Sequence, residues 1–475
     1  MVLAIYAQCV SFSLIPTWDD WHSLINRPTV SAWWSVPWSQ RFLTPELGYP
    51  VPIPTAIWAL LGQWDVDTAV PVAHGLNVGI QLANTLLAFE LTRRWQGSVR
   101  VAAAVSALWT CHPLLVESVA WVTNLKTVGF GAVFLATLLT WEVHLEKSIL
   151  SSSIPPTALA LACFGFRPEA AVLPAMMLLQ TWIHDSANLR NVRFYLPLAI
   201  VTAAAVAYVP IAIRGQFEVI NPGHQIDSLD LQTHLHLAGA SLWLQTSHVL
   251  YPVDLHPIYP ILTDGNLFTL AVRGWLLSVP LLAALVWVLS RPERPFRLFA
   301  ALCLVTYAPA SGFIYLPRGT ADTYMYLPLL GILGIAASVF AGSSWSEDRF
   351  RKLLSYVGVP ALLVTLALTS GLQAQRWSNP VRLWKPMIEA YPQYDKPYRS
   401  LGTAYFSAGE YDRAVEVFER GLETMQRRDS IPLAYPRALI ETGRIEEARF
   451  LLETIAQTQP SGRDAAQKLL KKLPR

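Results

Sequence analysis

Long uncharged stretches alternate with short polar breaks along most of this chain, and the alternation stops near Gln375. A membrane-crossing helix needs about 20 mainly apolar residues. Such windows run from Val70 to Leu91, Val128 to Trp141, Phe194 to Ile213, Ala271 to Leu289, Leu298 to Leu316, Tyr324 to Ala341 and Leu353 to Gly371. Two shorter runs, Val101 to Cys111 and Ala158 to Phe166, each end at a polar break: His112-Pro113 in one case, Arg167-Pro168-Glu169 in the other. Ala170 to Trp182 then returns across the membrane. The uncharged run from Met1 to Pro16 lacks a basic leader and a convincing cleavage site, so it reads as a short first span and not as a signal peptide. The pattern predicts an all-α, multi-pass membrane domain over residues 1–373.

Beyond that boundary, residues 374–475 are charged and helical in pattern. The halves of this tail match at an offset of 34 residues, pairing Gly409 with Gly443, Ala414 with Ala448 and Phe418 with Leu452. Tyr398, Leu401, Gly402, Tyr405, Ala414 and Phe418 fall at the signature spacings of a tetratricopeptide repeat, and Pro460 closes the second unit. Small residues at the Gly and Ala positions let two helices approach closely. The region reads either as a groove for a peptide partner or as a cap on the membrane domain.

Composition agrees with the membrane reading. The chain has 475 residues, 53% hydrophobic and only 15% charged, against about 25% charged in soluble domains. Its mean hydropathy is +0.35. A net charge of +3 provides no basic field for nucleic acid. The cysteines, Cys9, Cys111, Cys163 and Cys303, are widely spaced within apolar segments, a pattern of buried thiols and not of a zinc site or a disulfide framework.

Basic residues set the expected orientation. Arg93, Arg94 and Arg100 cluster, as do Arg190 with Arg193, Arg291 with Arg294 and Arg297, and Arg349 with Arg351 and Lys352. All four groups are cytoplasmic if the chain starts inside and crosses about 11 times. This count requires that Leu231 to Val253, with His234, His236 and His248, does not span. A large first loop over residues 17–68 then lies outside, together with His112 to Thr127, Arg167 to Glu169, Arg214 to Leu270, Pro317 to Thr323 and the C-terminal domain.

Candidate chemistry gathers on that outer face. Asp19 and Asp20 follow the first apolar run, flanked by Trp18 and Trp21. Carboxylates there can bind a divalent cation (Mg or Mn) or accept a proton from a substrate hydroxyl. His112, Glu117 and Lys126 suit a phosphate-bearing lipid, with Lys126 as a point charge and His112 as a switchable donor. Arg167-Pro168-Glu169 either lines a cavity or is a self-paired hairpin. Arg318 and Asp322 precede Tyr324-Met325-Tyr326, which also fits an interfacial aromatic belt. His74 and Asn77, one helical turn apart, can face the same cavity. Nucleotide-binding, metalloprotease and hydrolase-elbow motifs are lacking. Midplane carboxylates are scarce, which argues against ion-coupled transport.

The acidic pair after the first span, the His112-Pro-Leu-x-x-Glu117-Ser-x-Ala-Trp121 loop, the Tyr324-x-Tyr326-Leu-Pro328 segment and the terminal repeats together resemble a known family. It is the transmembrane-and-tetratricopeptide-repeat (TMTC-like) O-mannosyltransferases and their bacterial relatives, within the GT-C class of glycosyltransferases. The resemblance implies a GT-C fold and inverting transfer of a sugar, such as mannose, from a polyprenyl-phosphate donor to a protein or glycan hydroxyl. Asp19 or Asp20 would be the base, or a metal ligand where a metal is used. His112, Glu117 and Lys126 match the family's second loop, and Glu169 matches a Lys-Glu pair whose Lys is here Pro168. The chain departs from the family at two further places. Asn124-Leu125-Lys126-Thr127 stands where the family often has Glu-Arg-Lys-Asp, and Ala321-Asp322-Thr323-Tyr324 where it often has Ala-Glu-Arg-Tyr. Arg318 or Arg214 could replace the missing phosphate-binding arginine. The implied location is a bacterial inner membrane. The other readings are a non-catalytic membrane scaffold and a polyprenyl-lipid transporter.

Overall fold

The structure is a computed structural model. It describes Ile5 and residues 33–35, 37, 49–147, 149–184, 192–220, 230–261, 266–313, 318–342, 354–424, 431–459 and 462–474. The described residues are helical throughout, with no strand among them. The chain divides into two compact units, one built from residues 1–261 and 266–375 and the other centred on residues 376–475.

In the first unit, α1 (Pro52–Leu61), α2 (Val66–Gln96) and α3 (Val99–Thr110) lead to a short α4 (Val116–Ala120). They are followed by α5 (Leu125–Lys147), α6 (Ile154–Cys163), α7 (Leu173–His184) and α8 (Val192–Ile220). Then come α9 (Leu231–Leu250), α10 (Leu267–Leu289), α11 (Arg294–Tyr307), α12 (Pro328–Gly342) and α13 (Val359–Trp377). Local chemistry sets several boundaries. Asp65 caps α2 by accepting the Thr68 N–H at 2.8 Å. Gly97, with φ of +68°, closes the same helix in the left-handed region. Arg93 and Arg94 sit in its last turn, where the helix dipole favours cations.

The expectation of about 11 crossings needs correction. Four described helices are long and apolar enough to cross a membrane: Val122–Lys147, Phe194–Gly215, Leu267–Val288 and Ser355–Trp377. The pair Val99–Thr110 and Pro113–Ala120, bent by 58°, makes five if it is one broken span. Two physical causes reduce the count. First, α2 has the length but buries His74, Asn77, Gln81 and Asn84, which lower its hydropathy. Second, proline and short 3-10 turns cut several apolar windows. Pro113 follows α3, Pro168 opens the turn before α7, and the window starting at Tyr324 begins with a 3-10 turn before α12. α3 is 12 residues long, so it rises about 18 Å against a hydrocarbon core of about 30 Å.

The second unit contains α14 (Pro380–Ala390), α15 (Asp395–Ser407), α16 (Tyr411–Thr424), α17 (Ala434–Glu441), α18 (Ile445–Thr458) and α19 (Arg463–Leu470). Gly409 (φ +77°) and Gly443 (φ +80°) occupy equivalent turns, after α15 and after α17. Both need the left-handed conformation that glycine adopts without a steric penalty. Ala414 and Ala448, on the following helices, are fully buried in one apolar core with Phe418, Tyr435, Leu452 and Ile455. Pro460, the expected end of the repeat, lies outside the described residues.

Close approach of α15 and α16 depends on Gly402. A Cβ added there would lie 2.5 Å from the Phe418 ring. The ring is buried and cannot move aside. Gly402→Ala should therefore lower stability by about 1–3 kcal/mol through overpacking. The check is limited proteolysis of the full-length protein during heating, with earlier cleavage expected between residues 395 and 424.

Candidate functional site

The stretch from His112 to Asn124 joins α3 to α5 through two 3-10 turns and the short α4, and side chains from elsewhere hold it. The Asn77 amide of α2 donates to the carbonyls of Trp121 at 3.1 Å and Val122 at 3.2 Å. Ser370 Oγ of α13 donates to the Cys111 carbonyl at 2.7 Å. His112 caps the turn that follows it, its Nδ1 accepting the Leu114 N–H at 3.3 Å. With Nδ1 an acceptor, Nε2 carries the proton and donates to the Val249 carbonyl at 3.1 Å. Both ring nitrogens therefore serve backbone groups, and His112 acts as a clip between this loop and the end of α9.

The charges beyond the clip are paired. Arg318 Nη1 lies 2.6 Å from Glu117 Oε1, and Arg318 Nη2 donates to the Pro257 carbonyl. Burial opposes the charge on Arg318, but Glu117, Tyr324 and Asp322 together outweigh it and hold the guanidinium above its ordinary pKa. Trp121 carries cations on its ring: Lys126 Nζ is 5.3 Å from the centroid and the Arg318 guanidinium 5.4 Å. Asp322 is buried, 3.4 Å from His248 Nδ1, and accepts the Tyr259 hydroxyl at 2.9 Å.

A neutral hydroxyl cluster adjoins these pairs. Thr323 Oγ1 lies 3.0 Å from Ser118 Oγ and 3.2 Å from Thr127 Oγ1, and accepts from the Asn124 amide at 3.2 Å. Thr127 in turn donates to Asn124 Oδ1 at 2.6 Å. Arg167 reaches the cluster from the α6–α7 connection, donating to Thr127 Oγ1 and pairing with Glu169. Its guanidinium is 6.0 Å from the Tyr324 ring centroid. Tyr49 is buried beside the same charges. Burial pushes its phenol up to about 12, against the pull of Arg167.

Next to this cluster is a cavity of about 40 Å³. Thr127, Arg167, Glu169, Thr323 and Tyr324 line its polar part, and Phe130, Val172, Pro309, Leu327 and Pro328 its apolar part. Other helix ends, of α2, α5 and α11, carry basic residues that are separately paired. Glu90 accepts from Arg93 and Arg94 there, and Glu142 binds Arg294 and the Gln180 amide.

The expected site residues distribute as follows. Glu117, Lys126, Arg318, Asp322 and Tyr324 come together around Trp121 and Thr323, and Glu169 joins them through Arg167. His74 is buried in α2 one turn before Asn77. Arg214 is exposed on α8. Trp18, Asp19, Asp20 and Trp21 lie outside the described residues. Among the described residues, no group of three or more His, Cys, Asp or Glu is arranged to hold a metal ion. Arg167 is the residue that sequence reasoning undervalued, although its place in a polar break was a signal. Tyr49, His248 and Tyr259 had none, since their partners are distant in sequence.

The tetratricopeptide repeat family matches residues 405–473. No curated protein and no solved structure matches the chain.

Asn77 carries the loop geometry, so Asn77→Leu, close in size but without a donor, should strand buried carbonyls and cost about 1–3 kcal/mol. Thermal unfolding of the full-length protein checks this. An unchanged midpoint would show that the loop holds without the amide.

Proposed function

We propose that the apolar helical unit is a GT-C class membrane glycosyltransferase, moving a sugar from a polyprenyl-phosphate donor to a protein or glycan hydroxyl on the extracytoplasmic face. The observation that carries this reading is the amphipathic cavity, with a buried guanidinium on one side and apolar side chains on the other. A phosphate joined to a hydrocarbon chain needs such a wall.

Two further points support it. Arg93, Arg94, Lys147 and Arg294 sit at the helix ends away from the cavity. Under the positive-inside rule those ends face the cytoplasm and the cavity faces outward. In addition, two of the departures from the family pattern, Thr127 and Thr323, touch each other. Where the family often has an Asp and an Arg, this chain has two hydroxyls in contact, so at these two positions an opposite-charge pair is exchanged for a neutral one.

In this mechanism the acceptor hydroxyl approaches the anomeric carbon from the side opposite the phosphate. Asp20 or Asp19 takes the hydroxyl proton as the new C–O bond forms. The bond from the anomeric carbon to the phosphate oxygen breaks, and its electron pair leaves with the phosphate. Lys126 and the site arginines stabilise that leaving charge. The carboxylates that would hold a divalent cation, Asp19 and Asp20, are outside the described residues, and every step above uses side chains alone. The C-terminal repeats hold the acceptor or a partner peptide. The repeat match favours a second reading, a non-catalytic membrane scaffold.

Sugar transfer from polyprenyl-phosphate sugars should fall about 10²- to 10⁴-fold in whichever of Asp19→Asn and Asp20→Asn removes the base. Full activity in both folded variants would exclude the acidic pair as the base. Absence of transfer by the wild-type protein, with no glycan lost by mass spectrometry when it is deleted from cells, would favour the scaffold.

A further inference from the structure

Arg167 and Glu169 form an ion pair in which each member keeps one unmet polar atom. Arg167 is 6% exposed, and its Nε, although buried, has no hydrogen-bond partner among the described residues. Glu169 Oε2 is likewise buried and without a partner among the described residues. A paired guanidinium and carboxylate normally satisfy each other side by side through two parallel bonds. Here one donor and one acceptor are left unmet beside a cavity that both residues line.

The pair also joins no distant elements. It bridges residues on either side of Pro168, in a connection the backbone already holds. Phe166 N donates to Cys163 O at 3.0 Å, Arg167 N to Cys163 O at 3.2 Å and Ala170 N to Arg167 O at 3.2 Å. Ile53 N donates to Gly165 O at 3.2 Å from outside the turn. The ion pair is thus not needed to close the hairpin. Glu169 is the looser member, its side chain 21% exposed against 8% for Arg167. Thr127, by accepting from Arg167, keeps the guanidinium aimed when Glu169 moves.

We propose that Glu169 is a built-in stand-in for a lipid phosphate, occupying Arg167 until the phosphate of an isoprenyl-chain lipid displaces it. The proposal rests on the lipid-phosphate reading of the cavity. The cavity, about 40 Å³, has room for about three waters, comparable to a phosphoryl group. An incoming phosphate oxygen accepts from Nε and Nη2 together, meeting the donor that Glu169 leaves unused. The hydrocarbon continues along Phe130, Val172 and Leu327. Glu169, part-exposed, swings out and gains hydration. Displacement of this kind lowers apparent affinity by the fraction of time Arg167 is already occupied. Glu169 therefore sets a threshold that a weak or misplaced anion does not pass.

The test is binding of farnesyl phosphate to the full-length protein in detergent, with farnesol and inorganic phosphate as comparison ligands. Wild type should bind farnesyl phosphate and neither comparison ligand at the same concentration. Arg167→Gln should weaken binding at least about tenfold, and Glu169→Gln should tighten it about tenfold. The second variant is decisive, because a merely structural salt bridge would be weakened by it and binding would not improve. Unchanged or weaker binding in Glu169→Gln, with wild type still binding, overturns the stand-in and leaves the lipid-phosphate reading intact. No binding by wild type overturns both. Equal binding of inorganic phosphate removes the lipid from the proposal and so overturns it. Glu169-gated binding without any sugar transfer supports the stand-in and counts against the transferase reading.

Discussion

A charge placed among apolar helices must be paired, because taking it out of water costs several kcal/mol that only close partners return. This constraint organises the first unit. Glu117 has Arg318, Arg167 has Glu169, Asp322 has Tyr259 and His248 close by, and at the far ends Glu142 has Arg294. Each pair draws together segments that local sequence would leave apart, except Arg167 with Glu169. That exception is the basis for proposing that this pair exchanges.

The same constraint explains the broken helices. Polar groups buried among apolar helices persist where irregular backbone lines a cavity or where side chains satisfy one another. The turn at His112 and Pro113 is such a place. Its free backbone groups are met by the His112 ring, by Asn77 and by Ser370. The turns at Pro168 and at Asp322 face it through Thr127 and Thr323. Several apolar windows that suggest full spans are therefore shorter helices ending at a shared polar cluster. Hydropathy averages over a window and does not register that a proline inside it redirects the chain. The buried polar row of α2 has the opposite effect: a 31-residue helix falls short in apolarity although its length suffices.

The second unit follows a different rule. Its helices are held by small residues at contact points and by glycines in turns, and those positions recur at a fixed spacing. Repeats were legible for that reason, since a repeated unit states its geometry twice. The match over residues 405–473 and the paired positive φ angles of Gly409 and Gly443 agree with that reading.

The candidate site was legible only in part. Glu117, Lys126, Arg318 and Asp322 stood out as polar residues at the edges of apolar runs, and such edges can be read from one dimension. Their partners could not. Nothing near Glu117 in sequence points to Arg318, and nothing near Thr127 points to Thr323. By itself, the sequence determined the helical class, the apolar character of the first unit, the repeat in the second and the positions of the breaks, because each is a local pattern of period, composition or punctuation. Tertiary structure alone decided that His112 is a clip, that Arg167 faces a cavity and that Thr127 and Thr323 meet. Those outcomes depend on which helix ends pack together, and packing is settled by the whole unit at once.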